Sequence, residues 1–292
     1  MRYIFYSITT LAVVTAPAPA DYPALIAEDK PVAYWRFDDA HDCCSESKTG
    51  DLIARIGTGV SLIVPGPRPP DFPAFAAENL AAEMSVPGQD AVLRVKDPGK
   101  SSVLDFTNGD TITIEAWVQS IRPLRDQQSA PIVGKGRTEN SGFPHDNENW
   151  ALSLFGDGKL AHASFTFHTA AGTAHRWVSE SALAPGEDWH HIAISYHFGK
   201  PDSISAWING KPSAGAWEKD RRTKTPPVMD DDEVWIGSTL GAKAEHTFPG
   251  CIDEVAIYRA TLSTERIQLH ATRALHPATR IEDASPHPKK NQ

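Results

Sequence analysis

A polar segment that ends in a tryptophan carries the residue types best suited to bind a hydroxyl-rich ligand. Its candidate ligand-binding residues are Glu139, Asn140, His145, Asp146, Asn147 and Trp150. Carboxylates and amides hydrogen-bond hydroxyl groups, and a flat indole ring can stack on the face of a sugar. Trp177 and Trp217 flank other irregular segments, so we expect them and Trp150 to be exposed platforms. The same composition also suits an ordinary surface loop, and both interpretations stay open at this stage.

Motifs for catalysis are missing from the sequence. There is no Gly-x-Ser-x-Gly elbow and no HExxH pair. Gly99-Lys100-Ser101 resembles the end of a phosphate-binding loop, but Arg94 stands where such a loop needs a glycine. Cys43, Cys44 and Cys251 do not have the spacing of a zinc site. The sequence therefore predicts a protein that is not an enzyme.

The charge balance limits the class of partner. The 292 residues include 28 lysines and arginines against 37 aspartates and glutamates, which gives a formal net charge of −9. Proteins that hold nucleic acid neutralise its phosphates with a basic surface, so we expect no nucleic-acid partner. Because β-sandwiches often place about 200 to 250 residues in one domain, a single globular domain is the prediction.

The first twenty residues have the pattern of an export signal. Arg2 gives a positive start, residues 3–14 are mostly apolar, and Ala18-Pro19-Ala20 forms a small-x-small cleavage site. That apolar run is shorter than the roughly 20 residues that a spanning helix needs. We expect residues 1–20 to be a cleaved signal peptide, with an uncleaved anchor as the alternative. The mature chain would be exported, to the periplasm, the cell surface or the medium, without a transmembrane span.

Alternation of apolar and polar residues, the pattern of half-buried strands, dominates the rest of the chain. The predicted strands are 32–38, 60–64, 91–95, 111–119, 151–155, 159–167, 175–179, 189–198, 204–208, 234–237 and 251–258. Asn209-Gly210 and Gly156-Asp157-Gly158 are typical of hairpin turns. The one good helix is 263–274, with Ser263 as its N-cap. The prediction is an all-β antiparallel sandwich or jelly roll with one short C-terminal helix, followed by a flexible polar tail at 280–292.

Five segments carry a more specific signal through their order along the chain. They are Ala33-Tyr34-Trp35-Arg36-Phe37-Asp38, Ile114-Glu115-Ala116-Trp117-Val118, Trp189-His190-His191-Ile192-Ala193, Trp207-Ile208-Asn209-Gly210 and Phe248-Pro249-Gly250-Cys251-Ile252-Asp253-Glu254-Val255-Ala256-Ile257-Tyr258. Together they resemble the laminin-G-like, concanavalin-A-like lectin/glucanase domain of exported bacterial proteins. The resemblance implies that residues 21–279 form one jelly roll of two antiparallel sheets, with the first and last strands adjacent.

The resemblance also implies a calcium ion. Domains of this superfamily often hold a structural Ca²⁺ where the first and last strands meet, and Asp38, Asp39 and Asp253 stand at the matching positions. Oxygen ligands suit this hard cation. The acidic run 230–233 is a second candidate position, although such a run is more often a hydrated surface.

A disulfide follows from the same strand arrangement. If the first and last strands are neighbours, Cys43 or Cys44 could reach Cys251, and the predicted bond is Cys44–Cys251. A vicinal Cys43–Cys44 bond and free thiols are the alternatives.

For function, the resemblance implies a non-catalytic module that binds carbohydrate or an extracellular matrix or cell-surface component, with possible calcium support. The superfamily's hydrolases carry a Glu-x-Asp-x-x-Glu or Glu-x-Asp-x-Glu strand motif, which neither Glu115 nor Asp253-Glu254 reproduces. One alternative is a structural or adhesion module that binds other exported proteins. Another is a divergent glycosidase or polysaccharide lyase whose carboxylates come from loops.

Overall fold

The fold is built from short and medium-length strands with a helix near each end. A computed structural model describes residues 21–38, 44–46, 52–100 and 102–275, and of 44–46 it describes the backbone alone. The predicted signal peptide, Asp39, Cys43 and the predicted tail lie outside these residues. No helix in the described ranges is long and apolar enough to cross a bilayer.

The described residues form seventeen strands and two α-helices. The strands are β1 (Ala33–Trp35), β2 (Cys44–Glu46), β3 (Ile53–Ile56), β4 (Ser61–Pro65), β5 (Leu80–Glu83), β6 (Leu93–Val95), β7 (Thr111–Ser120), β8 (Ser129–Lys135), β9 (Trp150–Gly156), β10 (Ala161–His168), β11 (Ala174–Leu183), β12 (His190–His197), β13 (Ser205–Ile208), β14 (Lys211–Ser213), β15 (Gly215–Trp217), β16 (Val234–Ile236) and β17 (Gly250–Tyr258). The helices are α1 (Tyr22–Glu28) and α2 (Thr264–Leu275). Each predicted strand overlaps one of these, and the C-terminal helix is confirmed.

The strands pair into two antiparallel sheets. Sheet A has the order β14-β13-β12-β7-β17-β5-β4, and β1 also pairs with β17. Sheet B has the order β15-β11-β10-β9-β8-β16-β6-β3-β2. Tyr34 of β1 lies opposite Ala256 of β17, so the predicted contact between the first and last strands of the domain is confirmed. The antiparallel β-sandwich of the jelly-roll class is therefore confirmed as well.

The core lies between the two sheets. Ile112, Ile114 and Val118 of β7 point inward and belong to the same buried cluster as Phe165 and Phe167 of β10. Period-two alternation explains this, because successive side chains of a strand point to opposite faces. Burial of each such large apolar side chain contributes about 1.5–3 kcal/mol to the hydrophobic driving force.

Helix α1 is an element that the sequence pattern did not predict. Its seven residues are too few to be stable by helix propensity alone, so its stability comes from packing. Tyr22 is fully buried against the outer face of sheet A, where its ring stacks on Phe75 with centroids 4.4 Å apart. The indole Nε1 of Trp117 in β7 donates a hydrogen bond of 2.8 Å to the Tyr22 hydroxyl. The sequence pattern therefore predicts α2 but not α1.

A buried polar network joins both helices to sheet A. The Glu115 carboxylate is fully buried, and its Oε2 lies 3.0 Å from His191 Nε2 and 3.0 Å from His270 Nδ1. The hydroxyl of Tyr258 donates a hydrogen bond to Glu115 Oε1. On the other side of the His270 ring, Nε2 lies 2.8 Å from Asp29 Oδ2, at the end of α1. One carboxylate of β7 thus fixes the position of α2 and, through His270, that of α1.

A second buried charge cluster lies at the end of β8. The Lys135 side chain is fully buried, and its Nζ lies 2.9 Å from Asp97 Oδ2 and also contacts Asp105. The third polar contact of Nζ is a 2.6 Å hydrogen bond to the carbonyl oxygen of Asp230. Lys135 therefore ties β8 to three loops.

Candidate functional site

The loop that the sequence singled out folds back on the acidic segment 230–233. The buried carboxylate of Asp232 accepts hydrogen bonds from Thr138 Oγ1 at 2.8 Å, Asn140 Nδ2 at 3.1 Å and Asn147 Nδ2 at 3.0 Å. The Oδ1 atom of Asn147 accepts from the backbone N–H of Arg137 at 2.6 Å. The amides of Asn140 and Asn147 are thus used inside the protein, where they hold the loop in place.

The exposed part of the same loop is formed by Glu139, His145 and Asp146. Lys243 Nζ donates a 2.9 Å hydrogen bond to Glu139, and this bond lowers the pKa of the Glu139 carboxyl. The imidazole of His145 lies 3.2 Å from Asp146 Oδ1 and likewise lowers the pKa of Asp146. These three side chains remain on the surface as ionised or polar groups, although they pair mostly with one another and with Lys243.

The predicted tryptophan platforms are not exposed. Trp150 has no solvent-accessible surface, and its Nε1 donates a 2.9 Å hydrogen bond to the carbonyl oxygen of Leu104. Trp177 and Trp217, which lie opposite each other on β11 and β15, are 3% and 7% exposed and belong to the core between the sheets. The prediction of exposed platforms is therefore wrong, because the alternation of these strands turns the indole rings inward.

The described residues near Asp253 do not fit a calcium ion. Asp253 Oδ2 accepts a 2.8 Å hydrogen bond from Asn79 Nδ2, and Oδ1 accepts one of 2.8 Å from the backbone N–H of Glu254. Gly66 packs so closely here that a Cβ atom would come within 2.7 Å of Asp253 Oδ2. Arg36 supplies positive charge here, since its Nη2 lies 2.9 Å from Asp38 Oδ2. Within the described ranges no three acidic, histidine or cysteine side chains are grouped as metal ligands are.

The buried carboxyls of Asp253 and Glu254 are engaged by neighbouring donors. Burial raises the pKa of Asp253 well above its ordinary value, and it raises that of Glu254 to about 7 in spite of Arg36, whose Nε lies 3.1 Å from Glu254 Oε1. A calcium site needs carboxylate oxygens that turn toward a common point. Here the carboxyls turn toward amide and guanidinium donors.

We expect calcium to leave the thermal stability unchanged. A cation that binds the folded state raises the melting temperature in proportion to the logarithm of its concentration. Differential scanning fluorimetry in calcium chloride and in EDTA should therefore give the same melting temperature. A rise with calcium that the substitution Asp253→Asn abolishes would contradict this prediction.

The predicted Cys44–Cys251 disulfide is not formed, because Cys251 is a buried free thiol. Cys251 faces the outer side of sheet A, in the same cluster as Trp117. Cys44 lies on β2 at the far edge of sheet B, so sheet A separates that strand from the Cys251 side chain. Burial raises the pKa of the Cys251 thiol to about 12, which keeps it protonated and unreactive.

A groove on the outer face of sheet A combines apolar walls with a polar rim. This feature, the Trp189 groove, has a volume of about 780 Å³, within the range of about 300–1,000 Å³ typical of ligand sites. Its apolar walls are Pro65, Pro69, Phe72, Ile121 and the edge of Trp189. Its polar lining is Arg68, Asp71, Gln119, Glu187, Asp188, His190 and Asn209.

Contacts behind the surface fix the walls of the Trp189 groove. The Phe72 ring packs edge-on against Trp117, with centroids 5.3 Å apart. The side-chain amide of Gln119 donates a 2.5 Å hydrogen bond to the Glu187 carbonyl oxygen, which holds the turn that carries Glu187 and Asp188. Both carboxylates remain exposed. The groove thus presents hydrogen-bond acceptors beside a preformed apolar surface.

Histidine and asparagine side chains at one end of the groove are also held in position. Asn209 Nδ2 donates a 3.1 Å hydrogen bond to His190 Nδ1. Burial lowers the pKa of His190, so its ring is neutral near neutral pH. The sequence pattern indicated none of these positions, because the groove joins four segments that are far apart along the chain.

Comparisons with known proteins agree on the fold. The solved structures similar to this chain include the binding domain of Paraclostridial Mosquitocidal Protein 1, with a TM-score of 0.56 and 15% identity over 83% of this chain and 52% of that one. The botulinum neurotoxin serotype D ligand-binding domain in complex with N-acetylneuraminic acid has a TM-score of 0.55 and 13% identity over 85% and 52% of the two chains. The corresponding values for a Trypanosoma rangeli sialidase in complex with 2,3-difluorosialic acid are 0.52 and 14%, over 84% and 33%.

This chain therefore spans about half of the two toxin domains and a third of the sialidase. A search of curated proteins finds no match to the sequence. The family model of the concanavalin A-like lectin/glucanases superfamily matches residues 89–268, which is more than half of the chain and runs from the turn before β6 into α2. On this match and the two-sheet fold, the protein belongs to the concanavalin A-like lectin/glucanase superfamily.

Proposed function

We propose that the protein is a non-catalytic carbohydrate-binding module and that the Trp189 groove holds the sugar. The carrying observation is the combination, in one groove, of the apolar wall of Phe72, Ile121 and Trp189 with the exposed carboxylates of Glu187 and Asp188. A sugar ring has apolar C–H faces and a rim of hydroxyl groups. The apolar wall suits the first, and carboxylate oxygens accept hydrogen bonds from the second.

The known relatives support a binding role. Of the similar solved structures, one is a binding domain and another is a ligand-binding domain in complex with N-acetylneuraminic acid. The site of action that we propose is outside the cytoplasm, on the strength of the predicted export signal. A role as an adhesion module for other exported proteins is the alternative. It predicts that binding does not depend on the carboxylates of Glu187 and Asp188.

Affinity electrophoresis in gels that contain dextran, mannan, xylan or galactan tests this proposal. We expect retardation by at least one of these polymers, and we expect the double variant Ile121→Ala, Asp188→Ala to weaken it about tenfold. A hydrogen bond to a charged group contributes about 1.5–3 kcal/mol, and about 1.4 kcal/mol corresponds to a factor of ten.

The matched control is the double variant Ile63→Ala, Asp231→Ala, which removes an exposed isoleucine and an exposed aspartate outside the groove. It should migrate like the unchanged protein. If both double variants lose binding equally, or if neither variant loses binding, the Trp189 groove is excluded as the sugar site.

A further inference from the structure

A second groove, which begins at Arg122 beside the Trp189 groove, is lined by arginines. One depression of about 480 Å³ includes Arg125, Arg137 and Arg176, and a neighbouring one of about 380 Å³ includes Arg122 and Arg125. The two share Arg125, Gln128 and Glu245, so they form one elongated channel, named here the arginine groove. Arg176 lies on β11 between residues that point into the core, which places its side chain on the outer face of sheet B.

Three of these arginines form no ion pair with another described residue. Among the described residues no carboxylate lies within 4.0 Å of the guanidinium of Arg122, Arg125 or Arg137. The Nε atom of Arg137 is buried and has no hydrogen-bond partner. A buried donor without a partner costs about 1–3 kcal/mol, so a ligand that accepted its hydrogen bond would recover that free energy.

The fourth arginine is held in place for binding. Arg176 Nη1 lies 3.3 Å from Glu218 Oε2, and its guanidinium packs over the ring of Phe155 at 4.7 Å from the centroid. Burial alone would raise the pKa of Glu148, but the contact with His168 and the charges of Arg137 and Arg176 keep that pKa below its ordinary value. The charges of Arg137 and Arg176 thus already act on one buried carboxylate, and an anion in the groove would share them with it.

We propose that the arginine groove binds an acidic polysaccharide through its carboxylate or sulfate groups. The planar guanidinium forms paired hydrogen bonds with such oxyanions. Four arginines line the channel against two carboxylates, Asp126 and Glu245, and Glu218 pairs with Arg176, so the lining keeps a small excess of positive charge on a chain whose net charge is −9. The elongated shape suits a polymer with several anionic groups, which would engage Arg122 and Arg125 in one part and Arg137 and Arg176 in the other.

An acidic polysaccharide suits the groove better than a nucleic acid does. No tryptophan, tyrosine or phenylalanine lines either depression, so bases would find no ring on which to stack. The net negative charge of the whole chain would also repel the dense phosphates of a duplex. A carboxylated or sulfated sugar chain needs neither a stacking platform nor a wide basic surface.

Isothermal titration calorimetry of the purified protein with polygalacturonate, dextran sulfate, neutral dextran and duplex DNA tests this inference. We expect binding of polygalacturonate or dextran sulfate that is much tighter than any binding of dextran. Binding of polygalacturonate alone would identify the carboxylate as the group that the groove recognises. Binding of dextran sulfate alone would identify the sulfate, and either result supports the proposal. We expect Arg122→Gln and Arg125→Gln each to weaken binding at least tenfold without changing the melting temperature, because no described carboxylate lies within 4.0 Å of either guanidinium.

Arg222→Gln is the matched control, because Arg222 is already neutralised by Asp202 at 2.7 Å and Asp220 at 3.1 Å. It should change the affinity less than twofold. Binding of neither acidic polymer, equal loss in all three variants, or equally tight binding of duplex DNA would overturn the proposal. Ile121 of the Trp189 groove is followed by Arg122 of the arginine groove, so independence is tested with the single variant Asp188→Ala, which leaves Ile121 in place. It should bind the acidic polymer normally, and failure of one proposal would then leave the other intact.

Discussion

Replacement of Lys135 by methionine should lower the free energy of unfolding by about 3–5 kcal/mol, the cost of breaking a buried ion pair from one side. Methionine fills much of the same volume, but it leaves the carboxylates of Asp97 and Asp105 in the interior without their ammonium. Even with Lys135 in place, burial raises the pKa of Asp105. Removal of the ammonium would raise that pKa further. Urea unfolding followed by tryptophan fluorescence measures the change.

Two further variants separate charge from packing at Lys135. Lys96→Met removes an exposed lysine next to Asp97 in sequence and should change the free energy of unfolding by less than about 0.5 kcal/mol. The triple variant Lys135→Met, Asp97→Asn, Asp105→Asn should recover part of the loss, because no unpaired charge remains in the interior. If Lys135→Met alone costs less than about 1 kcal/mol, the cluster does not stabilise the fold as we describe.

Replacement of His270 by glutamine should also lower the free energy of unfolding by about 3–5 kcal/mol, and this effect should depend on pH. Burial alone would lower the pKa of His270, but the adjacent charges of Glu115 and Asp29 outweigh it and raise the pKa above the ordinary value. A raised pKa means that the folded state holds the proton more tightly than the unfolded state. The stabilisation is therefore complete below about pH 6.5, the ordinary histidine pKa, and is lost as the pH rises through the folded-state value.

The measurement is urea unfolding at a series of pH values from 6 to 9. The free energy of unfolding of the unchanged protein should fall over that range. In His270→Gln, the part of this fall that comes from deprotonation of His270 should be absent. His145→Gln, which replaces a histidine whose side chain is 60% exposed, should keep both the stability and the slope. Identical pH profiles for the unchanged protein and His270→Gln would show that the ring does not carry the proton.

The parts of the fold that could be predicted are those with enough residues to show a period. Strands β7, β10 and β12 alternate over eight to ten residues, so their existence and their inward faces follow from the sequence. Strands β2, β14 and β15 have three residues each and lie in no longer alternating segment, whereas the equally short β1, β6 and β16 lie within longer predicted segments. The seven-residue β8 was missed because Ser129–Lys135 shows no period-two alternation. Helix α1 was missed for a related reason, since its stability comes from the sheet beneath it and not from its own residues.

The site was harder to predict than the fold because its residues meet only in three dimensions. Trp177 sits within a predicted strand, and consistent use of the strand period would have placed it in the core. Asp253 could be recognised as buried and acidic. Which positive group offsets the negative charge of the carboxyls around it depends on packing between β1 and β17, which places Arg36 there. Trp189 and Asp188 follow each other in sequence, yet the apolar wall opposite them comes from the segment 65–72.

The outermost strands of the two sheets have a consequence for behaviour in concentrated solution. In sheet A the edge strand β14 contains Pro212, which cannot donate a backbone hydrogen bond, and the opposite edge strand β4 ends in Pro65. In sheet B, β15 at one edge is only three residues long. Short edges interrupted by proline are poor templates for pairing with a second chain. Aggregation by edge-to-edge strand addition, the usual hazard of open β-sheets, is thus opposed by the sequence of the edges themselves.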